Sequence, residues 1–196
     1  MKTNSEIKLE AKAAMTNRWG QAVLFMFIYS LLSAGISTLN LVSPAIASIF
    51  MGFPLSLGIA IAFLNFSRTG ELPLEKIFSA FNSTYYLKSI GVTLLSTIYT
   101  FLWCLLFIIP GIIKGLSYAM APFIIAEDPS LSGEEAICRS MEMMEGHKMA
   151  LFLIVLECLV LVLLSSLLLF IPLLWITPFY MTIITKFYEA LKTDSM

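Results

Sequence analysis

The sequence predicts an all-α fold, an integral membrane six-helix bundle made of three hairpins. Of 196 residues, 59% are hydrophobic and 13% charged, and the mean hydropathy is +0.89. Soluble domains carry about 25% charged residues, so the shortfall in charge points to lipid as solvent. One unit then occurs three times: an amphipathic stretch, an apolar span, and a second apolar span with a proline just inside it. The units cover residues 3–66, 73–126 and 132–190 of a single integral membrane domain.

The first unit opens with Thr3-x-x-Glu6, a capping-box pattern, followed by Ile7, Ala11, Ala14, Met15 and Trp19 at helical spacing. Gly20 to Leu39 is apolar and free of ionisable side chains, matching the about 20 residues that a bilayer core requires. Leu41 to Phe66 is a second span, interrupted by Pro44 and Pro54. The second unit starts at Pro73, suited to a first helical turn, and its stripe is Leu74, Ile77, Phe78, Phe81 and Tyr85. Ile90 to Ile109 is the third span. Pro110-Gly111 reads as a turn, and 112–126 as a fourth segment reaching only about 22 Å, too short to cross unless it is tilted little.

The third unit has a second capping box, Ser132-x-x-Glu135, and an apolar stripe of Ala136, Ile137, Met141 and Met144 that ends at Gly146. Met149 to Phe170 and Ile171 to about Phe187 complete the six spans, the last opened by Pro172 and bent by Pro178. Each amphipathic stretch fits an interfacial helix lying among headgroups. A cytosolic loop helix packed on the bundle is the alternative, since amphipathicity does not separate the two.

If every hairpin enters and leaves on one side, eleven of the twelve basic residues share that side, and Lys114 alone falls opposite. The positive-inside rule makes the crowded side cytoplasmic, with both termini there. The opposite side keeps only short connections such as Asn40-Leu41-Val42-Ser43, so a soluble partner would meet the protein from the cytoplasm. Residues before Gly20 are polar and the apolar run after them is long, which argues against a cleavable signal.

Glu157 is the sharpest single candidate. It stands among Leu153, Ile154, Val160 and Leu161, roughly 12 Å along its helix from Met149, where a carboxylate usually faces a bundle interior or a wet cavity. Tyr29, Ser30, Tyr99 and Tyr118, with Ser96, Thr97 and Thr100, are its candidate partners on other spans. Glu157 reads either as a proton- or substrate-binding carboxyl or as a neutral acid tying two helices together. Pro54, Pro122 and Pro178 each remove a backbone hydrogen bond, and carbonyls freed at such kinks can line a site; they also suit plain packing geometry. Ser48, Gly52 and Ser56 make a small-xxx-small row for close helix contact.

Lys114 beside the short fourth segment is expected to snorkel to headgroups. His147, about 15 Å along the chain from Glu157 on a continuous helix, is too far to form an acid–base pair with it. One histidine and three unclustered cysteines (Cys104, Cys138, Cys158) point to no metal site. A net charge of −1 argues against nucleic acid. No phosphate loop, catalytic triad or metalloprotease motif occurs, so no enzyme, catalytic residue or cofactor is expected.

Three segments carry a resemblance. They are Ala11-Lys12 through Asn17-Arg18-Trp19-Gly20, then Ile109-Pro110-Gly111-Ile112-Ile113-Lys114-Gly115 with Tyr118-Ala119-Met120-Ala121-Pro122, and finally Glu135 through His147. Together they resemble a bacterial membrane-protein family catalogued as domain of unknown function 975. More distantly, the chain is similar to the membrane domain attached to some glycerophosphodiester phosphodiesterases. The resemblance implies a multi-pass, non-catalytic module of the bacterial plasma membrane, and it brings no residue with an assigned role. The expected function is a non-enzymatic membrane protein binding lipid or a membrane or cytoplasmic partner. Alternatives are a small transporter or lipid translocator built on Glu157 and, last, an intramembrane enzyme.

Overall fold

The computed structural model describes residues 2–38, 48–166 and 171–194, and no strand occurs among them. Helix α1 (Asn4–Met15) starts where Thr3 and Glu6 form the expected capping box, and it stops where Asn17 turns left-handed at φ 63°, a conformation asparagine tolerates. α2 (Trp19–Thr38) follows. A π-helical turn (Ser48–Gly52) leads into α3 (Phe53–Thr69), with Pro54 in its first turn and Gly70, at φ 76°, closing it. The expected turn at Asn40–Ser43 and the kink at Pro44 lie outside the described residues.

α3 is buried nearly all round. Leu57, Ala60, Phe63, Leu64 and Phe66 all lie in the core, and α6 (Ala121–Glu127) and α9 (Leu173–Asp194) pack against it. α2, α4 (Ser83–Leu106) and α8 (Lys148–Ser166) instead present Leu, Phe and Ile side chains outward. An exposed apolar belt around an apolar core departs from a soluble bundle at the surface, not at the centre.

Among the described residues, five helical segments are long and apolar enough to cross a membrane: 19–36, 49–69, 83–106, 108–127 and 148–165. The sixth expected span lies in α9, which has the length but not the hydropathy, because Lys186, Glu189 and Lys192 occupy its second half.

Three local expectations change. Pro110-Gly111 is not a turn: the chain turns at the extended residue Phe107, and both residues sit in the first turn of α5 (Ile108–Tyr118). Proline has no N–H to leave unpaired there. The glycine serves a close approach, since a Cβ on Gly111 would stand 2.8 Å from the Cα of Cys104 on α4. The fourth segment is accordingly longer than 112–126, running from 108 to 127 as α5 and α6 with a break at Ala119-Met120.

The stretch 73–88 is also not one helix. Leu74–Phe81 is a 3₁₀ helix, Asn82 is extended, and Tyr85 belongs to α4. Three residues per turn put Ile77 and Ala80 in one buried row and leave Phe78 outside. This 3₁₀ helix seats on α3 at Gly58, where a Cβ would meet the Ile77 carbonyl carbon at 2.9 Å.

Finally, α1 and α7 (Gly133–Met143) are packed on the bundle rather than lying free of it. Ile7, Ala11 and Met15 of α1, and Ala136 and Ile137 of α7, are buried. α1 lies against α9, with Met15 Sδ 3.5 Å from Thr182 Oγ1.

Candidate functional site

Burial of Ile7 and Ala11 turns the neighbouring Lys8 to the edge of α1, toward α8. Asn4 Nδ2 donates to the Ala150 carbonyl at 2.9 Å, fixing the start of α1 beside α8. Lys8 Nζ then reaches Glu157 and forms a hydrogen-bonded ion pair with its carboxylate. The sequence reading sought the partner of Glu157 on other apolar spans; it comes from the N-terminal amphipathic helix. The Glu157 side chain is 53% exposed, at the mouth of a crevice walled by Ile154, Cys158, Phe179, Tyr180 and Ile183. Its free volume of about 60 Å³ admits a few waters.

Tyr29, Ser30, Tyr99 and Tyr118 do not line that crevice. Tyr29 and Ser30 lie with Leu173 and Thr177 in a separate hollow between α2 and α9. Tyr99 and Tyr118 pair with each other across α4 and α5, their ring centroids 6.2 Å apart. Pro178 lies inside α9, and the hydroxyl of Thr182 one turn on donates to its carbonyl at 2.8 Å.

A larger concavity runs beside α4. Ser56 of α3, Thr93, Ser96, Thr97 and Thr100 of α4, and Tyr118 of α5 line it, and about 490 Å³ is free within it. Their spacing along α4 (93, 96, 97, 100) puts these hydroxyls on one helical face. α4 and α5 approach closely at Gly111, and Gly115 faces Thr100. Thr97 and Ser56 donate to carbonyls of their own helices, Thr93 and Phe53, each at 2.7 Å. Ser96 Oγ is buried with no partner.

The groove ends at the broken helix. Pro122 in the first turn of α6 brings no N–H to the Tyr118 carbonyl. Ser140 of α7 bridges the break, donating to the Ser117 carbonyl at 2.7 Å and accepting from the Met120 N–H at 3.2 Å. Sequence reasoning passed over Ser140. The available signal was a serine on the buried stripe of Ala136 and Ile137, where a hydroxyl requires a partner.

The charged residues gather where α3, α6 and α9 end. Glu127, with a side chain 14% exposed, pairs with Arg68 and with Lys192 (2.8 Å), and the Tyr188 hydroxyl donates to it at 2.7 Å. Glu189 receives Lys186 at 3.0 Å and the Ser67 hydroxyl at 2.7 Å. His147 Nε2 stands 3.4 Å from Asp194. Next to this cluster a hydrogen bond from the Ser130 side chain holds the Asp128 carboxyl below the usual carboxylate range. Lys114 is elsewhere, its ammonium 5.2 Å from the centroid of the Trp103 ring, a cation–π contact. Among the described residues no group of His, Cys, Asp or Glu is arranged to hold a metal.

The family described as "Protein of unknown function (DUF975)" matches residues 1–114 and 105–195, and the chain belongs to that family. No curated protein and no solved structure matches the chain.

Proposed function

We propose that the chain is a non-enzymatic, six-span membrane protein that binds lipid along its flanks, with α9 as the sixth span and both termini cytoplasmic. The observation that carries this reading is where the hollows open. Leu57, Ala60, Met120, Ile124 and Phe187 fill the centre, while the exposed Glu157 and the exposed groove residues Ser56 and Thr97 belong to the outer surface. A concavity that opens sideways from an apolar belt meets lipid before it meets either aqueous side. A carrier centred on Glu157 asks instead for an interior acid, and Lys8 holds this one at the flank.

The topology draws support from charge placement. Arg68, Glu127, Lys186, Glu189 and Lys192 meet at one end, and Lys2 and Glu10 border the same cluster. Charge in such density belongs beside water, and the positive-inside rule makes that side the cytoplasm.

Two measurements test the proposal. In a cysteine-free background, Lys114→Cys should react with a membrane-impermeant maleimide on intact cells and Lys76→Cys should not; the reverse pattern overturns the topology. Native mass spectrometry of the gently purified chain should show lipids retained through delipidation, and a lipid-free chain would sink the function.

A further inference from the structure

We propose that the groove beside α4 binds the headgroup of an uncharged, hydroxyl-bearing lipid, such as a diacylglycerol carrying a single sugar. The inference rests on the preceding reading that the chain crosses the bilayer and takes lipid at its flanks, and it names the class of lipid.

The lining decides the class. Ser56, Thr93, Ser96, Thr97, Thr100 and Tyr118 line the groove with hydroxyls, those of Ser56 and Thr97 free to accept because their protons go to their own helices, and among the described residues no carboxylate, ammonium or guanidinium lines it. A phosphate or ammonium entering here would lose its water and meet no counter-charge, a cost of several kcal/mol per ion. A sugar or glycerol hydroxyl loses only neutral hydrogen bonds, and this wall can replace them.

Size decides between an ion and a headgroup. A dehydrated cation needs oxygens at about 2.0–2.6 Å, whereas about 490 Å³ is free here, within the roughly 300–1,000 Å³ of small-molecule sites. One buried hydroxyl, Ser96 Oγ, has no partner inside the protein. That oxygen is buried beneath the wall and gives a headgroup no contact, so the contacts fall to the exposed Ser56 and Thr97 hydroxyls.

The opening suits a lipid rather than a free polyol. Thr97, Phe101 and Cys104 are exposed along the groove, and Phe101 and Leu105 continue the apolar belt beside it. Acyl chains can therefore stay in the bilayer while the headgroup enters sideways.

The test uses the full chain in nanodiscs holding equal parts of a monoglucosyl diacylglycerol, phosphatidylglycerol and phosphatidylcholine, with retained lipids counted by native mass spectrometry. The wild-type chain should retain the glycolipid roughly five-fold over either phospholipid, the effect of about one net hydrogen bond. The double variant Thr97→Val/Thr100→Val should lose that preference, and Thr97→Ser/Thr100→Ser should keep it. Ser56→Ala, which removes one exposed groove hydroxyl and adds no bulk, should lower the preference if the valine variant does not fold.

Equal retention of phosphatidylglycerol, or an unchanged preference in the valine and alanine variants, overturns the inference. Displacement by free glucose overturns the choice of a lipid. Retention of lipids without selectivity refutes this inference alone, whereas retention of none refutes the lipid-binding reading beneath it.

Discussion

Polar groups occupy two regions of this bundle under different rules. At the end where α3, α6 and α9 finish, charge answers charge, and Arg68, Lys192 and Tyr188 converge on Glu127. In the groove along α4 the hydroxyls are neutral, and two of them lean on carbonyls of their own helices. A full charge requires water or a partner of opposite sign. A serine or threonine can satisfy itself locally, so it survives on an apolar wall where an acid would not. The groove is therefore shaped by close backbone contact, and the charged end by pairing.

The hardest blow to this contrast is at Gly111. Gly111→Val should cost about 3 kcal/mol, the upper part of the range for overpacking, because the new side chain meets the backbone of Cys104. Chemical unfolding in mixed micelles would show it, and a variant as stable as the parent would mean that α4 and α5 do not approach this closely. Next is Ser140→Ala, which strands the Met120 N–H and the Ser117 carbonyl at the helix break. A loss of about 2 kcal/mol is expected for such buried groups.

Glu127→Gln should cost about 1 kcal/mol at low ionic strength, because Arg68 and Lys192 keep partial access to water. That cost should shrink in molar salt, where the screening length falls to about 3 Å, while the effect of Thr97→Val stays constant. Salt thereby separates the two regions in one pair of titrations; equal salt dependence would erase the distinction.

The smallest effect concerns the capping boxes. Hydrogen bonds from the backbone N–H groups of Thr3 and Ser132 hold the carboxyls of Glu6 and Glu135 below the ordinary value of 4.5. A lowered folded pKa means the contribution is complete above that value and is lost as pH falls through the folded one. Protection of the Thr3 and Ser132 amides, measured against their intrinsic exchange rates at each pH, should thus fall on acidification below about pH 4.5, while the groove hydroxyls stay indifferent.

Much of the fold was legible in the letters. The capping boxes at Thr3 and Ser132, the helix stop near Gly146, and the apolar spans all depend on residues a few positions apart. The misreadings at Pro110-Gly111 and at 73–88 share a cause. Proline and glycine mark a place where backbone is special, but a first turn, a tight crossing and a reverse turn use the same residues. Only the Cys104 backbone beside Gly111 and the Ile77 carbonyl beside Gly58 separate those uses.

The site was legible in part. Tyr118, Thr97, Thr100 and Ser96 stood out as polar groups in apolar spans, but they were assigned to Glu157, whereas they gather around their own groove. By itself the sequence determined an all-helical chain with apolar spans and concentrated charge, because hydropathy, helical period and capping are local properties. Tertiary structure alone decided that Lys8 meets Glu157 and that Ser140 closes the break before Met120. Those partners are 149 and 20 residues apart, and no local pattern encodes which of many compatible side chains packing will bring together.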